Sequence, residues 1–401
     1  NSLDYVAGWY YKAAELCQGT RIRCAFVSTN SITQGEQVAP IWKTIYDRFH
    51  IHIDFAYRTF IWDSEATDKA HVHCVIVGFS HAPNSKPKII FDGDKKIIAQ
   101  NINAYLLDAP DIFVESRPNH LQNFVPAIGI GNKPIDGGNY LFTPEEMDDF
   151  IKLEPESAKY FKAWYGAEEF IKGKRRFCLL LKDLSLDEIK KMPHCWQRVE
   201  NVRNYRLKSK SPGTRKIADK PTRFHVENFP DGNYLLIPRH SSEKRKYIPI
   251  GFMSKDIIVG DANLIIPNAT LYEFGILTSI VHNAWMRVVA GRLESRYRYS
   301  KDIVYNNFPW PEWSADGSSA NSGLAARIPT AAQKILDVRE KYLSQGASLA
   351  DLYGENLDLL FTDLAEAHRE LDVIVLGLYG LKKDATEAEM VGRLFEMINP
   401  L

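Results

Sequence analysis

Apolar residues at Leu3, Val6, Trp9, Tyr10, Ala13 and Leu16 recur three and four positions apart, so the chain opens inside a helix. No capping segment precedes it, which reads as a start cut from a longer sequence. The period then changes. Arg23–Thr29 reads as a buried strand, 37–49 as a helix, Ile51–Tyr57 as a strand, and His71–Phe79, rich in Val and Ile, as another. Strand, helix, strand and a hairpin-like pair form the second half of an α/β sheet. From Ser80 to Arg117 the period is lost, apart from a short apolar patch at Ile102–Leu107, and the segment reads as a connector.

Beyond it the pattern is α+β. Thr143-Pro-Glu-Glu146 starts a helix with an N-cap, a proline at the first helical position and a glutamate to close a capping box. Helices are predicted over Pro144–Leu153 and Ser157–Trp164, short strands alternating with turns over Phe177–Ile250, and one long helix over Leu271–Arg292. Trp313–Ser322 is a Ser/Gly/Ala linker. Helical spacing returns in Pro329–Leu343, Leu349–Tyr353 and Thr362–Tyr379, with Gly380 as C-cap.

Composition narrows the classes. The 401 residues carry 50 Lys and Arg against 50 Asp and Glu, the balance of an ordinary folded protein. No apolar run approaches the roughly 20 residues that cross a bilayer, and no signal-peptide pattern opens the chain, so the expected compartment is the cytoplasm, without a membrane partner. Five cysteines lack a Cys-x-x-Cys pair, which argues against a disulfide framework and a zinc site. His71 and His73 alternate on a strand without a third ligand nearby, so no metal is expected. The charge is unevenly spread: residues 172–250 hold 20 Lys and Arg against 8 Asp and Glu. A local excess of that size on a neutral chain suits a surface that follows phosphates.

The candidate chemistry is DNA reading. In Gly291-Arg-Leu-Glu-Ser-Arg296, Glu294 can accept from cytosine N4 while Arg296 forks onto guanine O6 and N7, so the two can read one base pair. Pro238-Arg-His-Ser-Ser-Glu-Lys-Arg245 gathers Arg239, Ser241, Ser242, Lys244 and Arg245 as phosphate contacts, which set register without reading sequence. Asp261, on the turn Gly260-Asp-Ala-Asn263, is a further base-contact candidate. The Gly-rich run Gly129–Gly138 lacks the spacing and setting of a cofactor loop and reads as a turn.

These stretches, with Asn30-Ser-Ile-Thr-Gln-Gly35 and Pro134-Ile-Asp-Gly-Gly138, resemble the MmeI-like (type IIL) DNA adenine methyltransferases over nearly the whole chain. The resemblance implies three parts: the C-terminal half of a class I methyltransferase sheet over 1–115, an α+β target-recognition domain over 116–315, and a C-terminal helical region over 323–401. It implies S-adenosylmethionine as donor in the parent enzyme and double-stranded DNA as partner. The family's Asn-Pro-Pro-aromatic motif and donor-binding loop are not in this sequence, so the expectation is a fragment that is inactive alone and begins just downstream of the catalytic loop. On the same resemblance, Asn30 borders the active site, and Trp62, with Phe60 in reserve, stacks on the extruded adenine. The alternative is a non-catalytic DNA-binding specificity subunit. Recognition sequence, an accompanying nuclease and oligomeric state are not legible.

Overall fold

The computed structural model describes residues 3–62, 72–83, 86–311 and 322–398. His71, the acidic stretch after Trp62 and most of the 313–322 linker lie outside the described residues.

Helix α1 (Val6–Cys17) buries Tyr10, whose ring meets Phe26, Trp42 and Phe79 at 5.1, 5.4 and 5.7 Å. Beneath it lies a five-stranded sheet built from β1 (Arg23–Thr29), β2 (His52–Trp62), β3 (Val72–Ser80), β4 (Lys88–Asp92) and β5 (Lys95–Ala99), in the order β1-β3-β2-β4-β5. β3 runs antiparallel to both neighbours, so β1 and β2 point the same way. The helical stretch after β1 closes with α2 (Thr44–Phe49). Two expectations change here. β1 is an edge strand with one face outward, Val27 being about half exposed, rather than a buried strand. The supposed connector contains the β4–β5 hairpin, in which Asp92 pairs with Lys95 across the two-residue turn Gly93-Asp94, Gly93 at φ +56°; a glycine first in a two-residue loop between apolar runs is a hairpin signal.

The middle region has two lobes. Its strands and helices run β6 (Gly129–Ile130), β7 (Leu141–Phe142), α3 (Pro144–Leu153), β8 (Phe161–Tyr165), α4 (Ala167–Lys172), β9 (Arg176–Leu179), α5 (Leu186–Lys190), α6 (Pro193–Leu207) and α7 (Pro212–Lys216). They continue through β10 (Tyr234–Pro238), β11 (His240–Ser241), β12 (Gly251–Met253), β13 (Ile258–Val259) and β14 (Asn263–Pro267). α8 (Leu271–Thr278), α9 (Ile280–Val289), β15 (Gly291–Leu293) and β16 (Arg296–Arg298) complete it. One lobe, around the sheet β12-β10-β14-β6, shares its core with the methyltransferase-like sheet. The other, around β13-β8-β9-β7, has a separate core that includes Phe142, Phe150, Trp164, Cys195, Val199 and Val202.

The predicted capping box at Thr143 and Glu146 is formed. The helix expected over Ser157–Trp164 is a 3-10 helix over Pro155–Tyr160 that gives way to β8. Within the stretch expected as strands and turns lies α6, fifteen residues long. Its inward positions are Cys195, Val199, Val202 and Arg206, so a buried arginine takes the fourth place of the helical stripe and hides the period. The long helix over 271–292 is two helices. Ser279 turns extended, donates to Ile276 O at 2.7 Å and accepts from His282 N, ending α8 and capping α9 with one side chain.

The C-terminal region is helical: α10 (Ser322–Ala325), α11 (Ile328–Leu343), α12 (Leu349–Leu352), α13 (Leu357–Leu360), α14 (Thr362–Leu378) and α15 (Glu387–Ile398). Its helices pack on α8 and α9 within the shared core. Asp372 of α14 is buried there, accepting from Tyr247 Oη at 2.6 Å and from Ile280 N at 2.7 Å. No described helix is long and apolar enough to cross a membrane.

Candidate nucleic-acid interface

The loop after β1 is held from within. Asn30 is buried; its Nδ2 donates to Thr59 Oγ1 at 3.3 Å and its Oδ1 accepts from Gln34 Nε2 at 3.0 Å. Trp42 Nε1 donates to Ile32 O at 2.8 Å. Asn30 therefore positions the loop, since both ends of its amide are taken by protein groups. The loop ends at Gly35, φ +60°, where a Cβ would stand 2.8 Å from the Cα of Gly291. Backbone meets backbone there, because neither residue has a side chain to intervene.

Gly291 opens β15, and the expected helix end carrying Glu294 is in fact a β-hairpin. Gly291 pairs with Arg298 and Leu293 with Arg296, leaving Glu294 and Ser295 at the tip, Glu294 at φ +57°. β11 adds a third strand beside β16. At the tip, Arg296 Nη2 donates to Glu294 Oε2 at 2.8 Å, with the two side chains 48% and 73% exposed. Arg292 lies over the Tyr297 ring at 4.2 Å and donates to Ser295 O at 3.2 Å. Arg298 is exposed and has no ion pair among the described residues. His240 sits among these cations: burial first, then Arg239, Arg298 and Arg296, lower its pKa below the usual histidine range. It is neutral at pH 7, and the charge of this small sheet is carried by arginine.

Two clefts open on either side of Arg292. One, of about 310 Å3, is lined by Ser31, Gln34, Gly35, Arg292, Arg298 and Ser300 among others. The other, of about 200 Å3, runs between Gln34, Arg58, Thr59, Tyr105, Arg287 and Arg292. Both join the loop after β1 to the hairpin.

The 238–246 loop is more internally engaged than a solvated phosphate clamp. Arg239 Nη1 donates to Asp261 O at 3.0 Å, and Asp261 pairs with Lys133 at 3.5 Å. Ser241 is buried and accepts from Arg245 at 3.5 Å, while burial lowers the pKa of Arg245. Ser242 Oγ accepts from Lys244 N, and Lys244 Nζ reaches Glu355 of the C-terminal region at 2.7 Å. Arg239 and Arg245 each keep a buried Nε without a hydrogen-bond partner among the described residues. Lys133, Arg292 and Arg298 were missed in the sequence. Arg298 had a signal: it stands two residues from Arg296, a spacing that a strand places on one face, whereas Arg292, paired with Tyr297, takes the other face.

Trp62 closes β2, 48% exposed, its ring 6.3 Å from that of half-buried Phe60. An aromatic presented to solvent at a strand end is free to stack on a planar ligand. The Gly129–Gly138 run, read as a turn, begins as strand β6 paired with β14 and continues as a loop. Asn132 and Lys133 bridge to Gly260 and Val226, and a Cβ on Gly131 would meet Gly260 O at 2.3 Å, so the run packs tightly against the Gly260 turn.

Family models match along the chain: "MmeI, DNA-methyltransferase domain" over residues 1–92, "MmeI, target recognition domain" over 108–312 and "MmeI, C-terminal domain" over 322–401. DNA methyltransferase A of Bacillus subtilis (strain 168) is 38% identical over 395 residues, which are 98% of this chain and 43% of that protein. The solved structure of the type IIL restriction-modification enzyme MmeI in complex with DNA superposes with a TM-score of 0.89 at 44% identity, over 98% of this chain and 52% of that one. The chain spans about half the length of these relatives. The hairpin and the loop after β1 thus fall in the target-recognition and methyltransferase matches respectively, and the chain belongs to the MmeI family.

Proposed function

We propose that the chain is the sequence-reading part, with the adjoining edge of the catalytic domain, of a site-specific DNA methyltransferase that modifies adenine at N6 in a restriction-modification or phage-defence system. The observation that carries this reading is the contact of Gly35 with Gly291, which joins a methyltransferase loop to a base-reading hairpin through rigid backbone. Glu294 and Arg296, exposed at the tip, read one cytosine-guanine pair; Asp261 with Lys133 offers a second base contact; Arg239 holds phosphate. Lys244, Arg245, Ser241 and Ser242 keep that loop in shape beside the duplex. Trp62, or Phe60 behind it, stacks on the extruded base.

S-adenosylmethionine supplies the methyl group in this reading. The glycine spacing of a donor-binding loop is not in this sequence. The chain alone is therefore expected to bind duplex DNA and not to methylate it. A purely non-catalytic specificity subunit is disfavoured by the methyltransferase match over 1–92.

The test is methylation-site sequencing with the complete enzyme. Glu294→Lys combined with Arg296→Asp changes the base read at one position and leaves the others, each base contact being worth roughly 1–3 kcal/mol of discrimination. Arg239→Ala weakens all sites alike. An unchanged motif in the double variant refutes the assignment.

A further inference from the structure

The basic excess of the middle region is not where the sequence pointed. Around the 238–246 loop it is largely neutralised, Lys244 by Glu355 and Lys246 by Asp358. Elsewhere Lys172 and Lys174 share Glu168, Lys182 takes Asp183 and Lys190 takes Asp187. One corner escapes. Residues 203–223, the end of α6 and the α7 turn, hold eight Lys and Arg against a single acidic residue, Asp219. Arg206 is buried and Arg223 pairs with Glu227. The other six, Arg203, Lys208, Lys210, Arg215, Lys216 and Lys220, are all exposed and have no ion pair among the described residues.

Arg206 explains how such a surface holds its shape. Fully buried, its guanidinium donates to five backbone carbonyls: Pro134, Ile135, Ile217, Lys220 and Arg223, at 2.8–2.9 Å. These bonds tie the corner to the Lys133–Gly138 loop, and the ring of Tyr205 leaves no room for a Cβ on Gly137. No carboxylate among the described residues bonds to this guanidinium, and the buried carboxylate of Asp136 nearby offsets part of its charge, so the outward charge of the corner is that of the six. Like charges gathered at this density repel one another, and a polyanion with evenly spaced charges, such as a duplex backbone, relieves them together. Lys133, one residue before the first of those carbonyls, is the partner of Asp261. The corner is thus continuous with the reading surface.

We infer that the α6–α7 corner is a second, sequence-independent binding surface for the phosphates of duplex DNA flanking the recognition site. This rests on the DNA-reading proposal above and extends its footprint to the second lobe. The corner contributes affinity and salt dependence, and no base choice.

The experiment measures binding of the chain to a random-sequence duplex of about three helical turns (~10 bp each) across a salt series. It compares the unaltered chain with the Lys208→Gln, Lys210→Gln, Lys216→Gln, Lys220→Gln variant, with Arg239→Ala, and with the combination. The four-lysine variant melts with the unaltered chain, because its targets are exposed and unpaired. Its slope of log K against log salt is shallower by about 0.9 for each phosphate no longer neutralised, and the effect adds to that of Arg239→Ala. An unchanged slope in the four-lysine variant, with a reduced one in Arg239→Ala, overturns the inference and leaves the DNA reading standing. No duplex binding by the unaltered chain overturns both. Polyglutamate that competes with the duplex on the unaltered chain as strongly as unlabelled DNA, but not on the variant, assigns the corner to acidic polypeptide and also overturns it.

Discussion

Gly35→Ala is the sharpest probe of the joint between the catalytic edge and the reading hairpin. Two costs are separable. At φ +60° an alanine pays for left-handed backbone, about 1–2 kcal/mol. Its Cβ would also stand 2.8 Å from Gly291 Cα and 3.0 Å from Gly291 N, inside any real contact, and the obstacle is backbone that cannot rotate away. Overpacking of that kind costs typically about 1–3 kcal/mol, so the sum is about 2–5 kcal/mol. Two controls isolate the terms. Gly19 has φ +70° with nothing within 4 Å of its Cβ, so Gly19→Ala reports the backbone cost alone. Gly291→Ala places its Cβ 3.8 Å from Gly35 Cα, an ordinary contact, and should change stability by no more than about 0.5 kcal/mol. Thermal melts are the assay, at about 1–2 °C per kcal/mol for a cooperative unit of several hundred residues. The expected order of melting temperature is Gly291→Ala highest, then Gly19→Ala, then Gly35→Ala. Gly35→Ala melting with Gly19→Ala would refute the close approach.

Three further outcomes are expected. In the complete enzyme, Trp62→Ala lowers methylation far more than duplex binding, with Phe rescuing better than Leu, because stacking on an extruded base is worth roughly 1–3 kcal/mol; unchanged turnover moves the role to Phe60. Burial pushes the Asp372 carboxyl up from 3.8 to about 6. A raised folded pKa means that the folded state holds the proton more tightly, so Asp372 contributes most below about pH 4 and loses that contribution as pH rises through 6, about 3 kcal/mol in all. The stability difference between the wild type and Asp372→Asn, followed by denaturant melts from pH 4 to 7, should fall with rising pH; a flat difference excludes the effect. Arg206→Lys cannot fork onto five carbonyls and should cost several kcal/mol, on the order of 1–3 for each buried carbonyl left unpaired. Hydrogen exchange should then speed up first in 133–138 and 217–223, and unchanged protection there would remove Arg206 as the hub.

Legibility in the sequence followed the strength of local signals. The first helix, β1, the Thr143 capping box and the C-terminal helices declared themselves by period and caps. What failed did so for identifiable reasons. Ser279 is a single residue that stops one helix and starts the next without interrupting the apolar pattern, so Leu271–Arg292 looked continuous. Arg206 occupies a core position on α6, so composition masked a helix and, with it, the most basic corner of the chain. Charge counting found the basic segment but not which cations were free, because pairing such as Lys244 with Glu355 joins residues far apart in sequence. Glu294 and Arg296 do lie side by side, but at a hairpin tip rather than a helix end, because Leu293 pairs with Arg296 across a two-residue turn that the helical reading of 271–292 hid.

That setting bears on how the pair would discriminate. In the absence of DNA, Glu294 and Arg296 hold each other at 2.8 Å on a tip largely open to water. Exposed pairs of this kind contribute only about 0–1 kcal/mol, so opening one against a duplex costs little. A cytosine-guanine pair offers an amino donor and two acceptors side by side and can replace the internal ion pair with equivalent bonds to each partner. A base pair of the wrong kind leaves a desolvated carboxylate or guanidinium without one, and that penalty exceeds the strength of the bond missed. Selectivity on this reading comes from what the wrong base leaves unpaired, with the left-handed backbone of Glu294 fixing where the carboxylate stands. It follows that Glu294→Gln, which keeps the shape and removes the charge, should relax the choice of base at that position more than it weakens binding to the cognate site, a split that methylation-site sequencing and titration with cognate duplex can read separately.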